Sequence, residues 1–83
     1  PRREELPPLE AKIAEAKANL NDKVKSFERA KREAESGVGA GEVFDTRKMA
    51  VEMARAQLRK AEADLDLAQS GAWKFDLAVT RSA

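Results

Sequence analysis

Apolar residues along the chain recur at alternating steps of four and three. From Leu9 these steps visit Ile13, Ala16, Leu20, Lys23, Phe27, Ala30 and Ala34. A second series starts at Phe44, passes Arg47, Val51, Ala54, Leu58, Ala61, Leu65 and Ala68, and continues over Ala72, Phe75 and Val79. Such spacing gathers the apolar residues on one stripe of an α-helix and is the heptad pattern of a coiled coil. Lys23 and Arg47 are the polar exceptions, and Lys23 can lay its aliphatic stem along the stripe beside Val24. No segment alternates as a strand does. The pattern predicts an all-α chain of two long helices.

Breakers set the expected boundaries. Pro1, Pro7 and Pro8 crowd the start, and Pro8 fits the first turn of a helix, where a missing N–H is no loss. Gly37, Gly39 and Gly41 fall within five residues near the middle, and Gly37 is placed to close the first helix. The expected layout is a helix over about 8–36, a tip over 37–44 and a helix over about 45–70. Gly71 marks either the end of that helix or a weak point in a continuation to about 81. Two starts for the second helix are open. Asp45 can act as N-cap with a Phe44–Met49 hydrophobic staple, or Gly41 can begin it with Glu42 in the first turn.

Folding the chain about the glycine cluster gives a two-helix antiparallel coiled-coil hairpin. Centring the turn between Ala40 and Gly41 sets Ala30 against Val51, Phe27 against Ala54 and Leu20 against Ala61. Ala16 then meets Leu65, Ile13 meets Ala68 and Leu9 meets Ala72. Each pair joins a bulky residue to an alanine, which keeps the interaxial distance uniform. A parallel two-chain coiled coil would instead stack Phe27 on Phe27 and Ala16 on Ala16. The phrase Ala-x-Ala-x-Leu occurs at Ala16–Leu20, Ala54–Leu58 and Ala61–Leu65, as alanine-rich heptads readily produce.

Composition narrows the chemistry. Hydrophobic residues make up 42% of the 83, yet sixteen are alanine and the aromatics are three Phe and one Trp. So little bulk builds one layer of core, and an isolated hairpin of this kind is expected to be marginally stable and to self-associate through its seam edges. Cysteine and histidine are absent, which removes disulfides, Cys/His zinc sites and Cys- or His-based nucleophilic catalysis. No catalytic residue, metal site or cofactor is expected. Charged residues reach 37% but balance to +1, and Lys23, Lys25, Arg29, Lys31 and Arg32 lie among acids, so no nucleic-acid partner is expected. Asp64 and Asp66 point in different directions on a helix and form no acid–base pair. Met49 and Met53 read as residues flanking the seam. Glu28 and Arg32 stand at a favourable ion-pair spacing, and Trp73 is expected to pack at the hairpin base or on a neighbouring domain. With Pro1 in place of an initiator Met, the chain is expected to be a segment of a larger protein.

Three stretches are less generic than the heptads: Leu6-Pro-Pro-Leu-Glu-Ala-Lys-Ile-Ala-Glu-Ala-Lys-Ala-Asn-Leu20, Gly37-Val-Gly-Ala-Gly-Glu-Val-Phe-Asp45 and Ser70-Gly-Ala-Trp-Lys-Phe-Asp-Leu77. Together they resemble the α-helical hairpin of the HlyD-type membrane fusion proteins, or periplasmic adaptors. The first is similar to the ascending helix, the second to the Gly-x-x-Ser-x-x-Glu-(aromatic or Leu)-Asp tip, and the third to a Gly-Ala-Trp stretch that follows the descending helix in some members. The resemblance implies a non-enzymatic spacer and docking device in the periplasm of a Gram-negative bacterium. Its parent protein would be anchored to the inner membrane and form a homo-oligomer linking an inner-membrane transporter to an outer-membrane TolC-type channel.

By the same resemblance the partner-binding residues lie at the tip: Arg29, Gly37, Val38, Gly39, Ala40, Gly41 and Asp45. Arg29 stands at the family's docking arginine. The leucine one turn later is replaced by Glu33, and the turn serine by Ala40. With Val43 three residues on, both halves of a capping box are missing. The alternative function is an autonomous coiled-coil dimerisation or scaffolding module.

Overall fold

A computed structural model describes the backbone of residues 6–37 and 41–82, and the side chains of these as far as Ser70. Nothing between Leu9 and Ser36 breaks a helix, and the Ala-, Glu-, Lys- and Leu-rich composition favours one. Helix α1 accordingly spans Leu6–Glu35 and helix α2 spans Gly41–Ser82. The two pack side by side as an antiparallel hairpin within an envelope of 69 × 18 × 12 Å. Among the described residues there is no strand.

The ends of the helices differ from the expected boundaries for local reasons. α1 starts at Leu6, so Pro7 and Pro8 both sit in its first turn, where the backbone N–H groups have no intrahelical acceptor to lose. At its other end the Ser36 N–H donates to the Arg32 carbonyl and the Gly37 N–H to the Ala34 carbonyl, both at 3.1 Å. Ser36 Oγ donates to the Glu33 carbonyl at 2.8 Å. Gly37 then turns the chain at φ +79°, a left-handed conformation open to glycine without strain.

α2 starts at Gly41 with Glu42 in its first turn, where the carboxylate favours the helix dipole. Asp45 therefore lies inside the helix and is not its N-cap, and Thr46 Oγ1 donates back to the Glu42 carbonyl at 2.9 Å. Gly71 does not stop α2. One glycine in a helix interior costs about 1 kcal/mol relative to alanine, and the helix continues through it to Ser82. With 42 residues against 30, α2 outruns α1 by roughly 18 Å.

Burial follows the heptads. Ala30, Val51 and Ala54 are buried, at 6%, 5% and 2% exposure. The other seam positions of α1 from Leu9 to Ala34 are half-buried, Lys23 included, as are Phe44, Leu58, Ala61, Leu65 and Ala68 on α2. Arg47 alone of the described seam positions is exposed.

Register departs from the expected pairing. With Phe27 facing Ala54, Phe44 would lie ten residues away along the axis, about 15 Å. The Phe27 and Phe44 ring centroids are instead 5.2 Å apart, tilted at 43°. A slide of about five to seven residues reconciles the two: it carries Phe44 to within a turn of Ala30 and Ala54 to within a turn of Leu20. The cause is the position of the turn. The helices end at Glu35 and begin again at Gly41, so the connection is centred near residue 38 rather than between Ala40 and Gly41. The heptad pattern is blind to this slide, because moving one helix by seven residues returns seam to seam.

Candidate interaction surface

Two concave surfaces flank the seam. The smaller, a notch of about 340 Å³ beside the tip, is lined by Lys31, Ala34, Glu35, Gly41, Phe44 and Asp45. α1 brings the first three to its last turns, while α2 supplies the rest from its first turn and a half. Stacking on Phe27 holds the Phe44 ring against α1 and gives the notch an apolar back wall. Lys31, Glu35 and Asp45 are exposed around it, so the rim carries both signs of charge.

The expected tip residues divide on this geometry. Gly41 and Asp45 meet at the notch. Gly37 is exposed at the α1 end, and Arg29 is exposed on α1 without lining the notch. Val38, Gly39 and Ala40 lie outside the described residues, as does the side chain of Trp73. Phe44, a seam position in the heptad pattern, is the further residue at the notch. It does not staple to Met49, which is 65% exposed, because a staple needs a helix start at Asp45. The signal that identifies it is its being the seam aromatic nearest the turn, with Phe27 on the other helix.

The larger surface is an open groove of about 850 Å³ running along one side of the hairpin. Its floor is small: Ala16 from α1 and Ala50, Ala54 and Ala61 from α2. Lys12, Glu15, Asn19 and Lys23 form one wall, facing Met53, Gln57, Lys60 and Asp64. Asn19 Nδ2 donates to Gln57 Oε1 across it at 3.4 Å. Met53 flanks the seam beside Ala54. It is 61% exposed on the groove wall, and Leu67, farther along α2, is 70% exposed.

Electrostatics are local. The ion pairs among the described residues are Lys60–Asp64 at 3.0 Å and Arg55–Glu52 at 3.5 Å, both within α2, and Glu28–Arg32 is not one of them. At such exposed sites each stabilises by a few tenths of a kcal/mol at most. Among the described residues no group of three or more carboxylates is placed to hold a metal ion, and no helix is long and apolar enough to cross a membrane. Compared with family models, curated proteins and solved structures, the chain matches none.

Proposed function

We propose that this chain is the α-hairpin of a periplasmic adaptor, joining an inner-membrane transporter to an outer-membrane TolC-type channel for secretion or efflux. The observation that carries the reading is a long antiparallel hairpin closed by a glycine tip, on a sequence that resembles that family at the tip and in its Gly-Ala-Trp stretch. In this role the helices act as a stiff spacer and the tip as the docking end. The slide changes the partners expected from the sequence but keeps bulky residues beside alanines, Phe44 near Ala30 and Leu20 near Ala54, so the support is the hairpin itself and these motifs. Glu33, Ala40 and Val43 depart from the family's docking pattern, and the Phe44-backed notch with Lys31, Glu35 and Asp45 then supplies the contact in its place.

The test is binding of the chain to a purified TolC-type channel from its own organism, followed by surface plasmon resonance. Saturable binding is expected, weakened roughly ten-fold by Asp45→Lys, while the same reversal at Asp66, far from the tip, leaves it unchanged. Absence of binding at millimolar chain, or equal loss from both reversals, overturns the reading.

A further inference from the structure

The chain exposes 6584 Å². A globular monomer of 9.1 kDa exposes about 4,900 Å², so this one carries roughly 1,700 Å² in excess. Part of it belongs to the paired section, whose seam is mostly half-covered. A stable contact between two proteins uses about 800 Å² on each. The groove is continuous with that seam, since Ala54 and Ala61 belong to both.

Levels across the groove are set by the Asn19–Gln57 hydrogen bond. One turn toward the base, Glu15 stands level with Lys60; a further turn brings Lys12 level with Asp64. Toward the tip, Lys23 is level with Met53. No ion pair crosses the groove among the described residues, because Lys60 turns to Asp64 on its own helix. Each wall thus carries the charges that complement the other wall.

We propose that two copies of this chain pack groove to groove about a two-fold axis parallel to the helices, forming a four-helix bundle with both tips at one end. That rotation lays α1 over the partner's α2 at the same level. Lys12 then meets the partner's Asp64, Glu15 the partner's Lys60 and Asn19 the partner's Gln57, each contact occurring twice. The alanine floor permits close approach, and Met53 of each copy is covered by the stem of the partner's Lys23. An antiparallel arrangement about the same central pair sets Glu15 on the partner's Lys23 but Lys60 on the partner's Ala54 and Asp64 on the partner's Ala50, so it matches fewer of the groove's charges. A net charge of +1 per copy offers little long-range repulsion. This contact is isologous and stops at two copies. It is independent of the adaptor reading, and channel binding by the monomer would survive its failure.

Analytical ultracentrifugation of the full chain between about 10 μM and 1 mM tests it, a range that spans weak dimer affinities. A monomer–dimer equilibrium with nothing larger is expected. Met53→Lys raises the dimer Kd about 100-fold, whereas Met49→Lys, one turn along the same helix and outside the groove, changes it less than about two-fold. Glu15→Lys and Lys60→Glu each weaken the dimer roughly ten-fold, and the two together recover most of the loss. Helicity by circular dichroism accompanies every variant, and the charge exchange decides should Met53→Lys unfold. A chain monomeric at 1 mM, growth beyond two copies, or a double charge variant no better than the single ones overturns the proposal.

Discussion

The half of the hairpin nearest the turn buries Ala30 and Val51 and, at its middle, Ala54, while toward the base Leu9, Ile13, Leu65 and Ala68 all remain half-buried. The residues left half-buried toward the base include leucine and isoleucine, larger than the alanines and valine buried nearer the turn. Two helices in contact cover a small side chain lying between their backbones, but a leucine reaches past the line of contact and needs a third surface to close over it. The tip half also has the Phe27–Phe44 ring pair, which closes the seam where the chain turns. A two-helix layer is therefore complete only where its residues are small or where a large pair caps it. The rest of the seam is half an interface.

The sharpest way to break this account is to trap the register. Leu20→Cys with Ala54→Cys should oxidise rapidly within one chain, because the slide brings these residues within a turn of each other across the seam. Closing a loop of roughly 35 residues stabilises by about 3–4 kcal/mol in the chain-entropy picture. Leu20→Cys with Ala61→Cys, level in the register expected from the sequence, should form mainly disulfides between chains. Non-reducing electrophoresis and thermal melts read both. Preferential closure of the second pair would restore the original register and remove the basis for a tip-half core.

The next test compares the halves directly. Ala54→Glu inserts a carboxylate into the most buried of the described positions and should destabilise by about 3 kcal/mol. Ala68→Glu, half-buried near the base, can turn its charge to water and should lose less than about 1 kcal/mol. Urea melts followed by circular dichroism separate the two. Equal losses would mean that both ends are equally closed.

Sequence pattern alone located the helices and their inner faces: of the heptad positions from Leu9 to Ala34 and from Phe44 to Ala68, Arg47 alone is exposed. The register was not legible in that pattern, because a seven-residue slide leaves the heptads matched and the three glycines allow more than one turn centre. The notch was half legible. Gly41 and Asp45 belonged to the tip resemblance, whereas Phe44 needed the true helix start to be placed. The groove was hidden for another reason. Glu15, Lys60 and Asp64 read as ordinary solvated charges until the register sets them level with one another.

The smallest expected effects come from the glycines, and they sharpen the contrast between a turn and a helix. Gly37 stands at φ +79° with nothing within 4 Å of the place where a Cβ would sit. Gly37→Ala therefore meets no clash with its surroundings, and what it loses is backbone conformation. The left-handed region is about 1–2 kcal/mol less favourable for alanine, partly offset by a stiffer unfolded chain, so a net loss of roughly 1 kcal/mol is expected. Gly71 lies in continuous helix, and Gly71→Ala should stabilise by about 0.5–1 kcal/mol through helix propensity. Matched thermal melts should move in opposite directions for the two. A loss at Gly71 would mean that α2 does not run through that residue in solution, and that the paired length, rather than the tip, sets the stability of the hairpin.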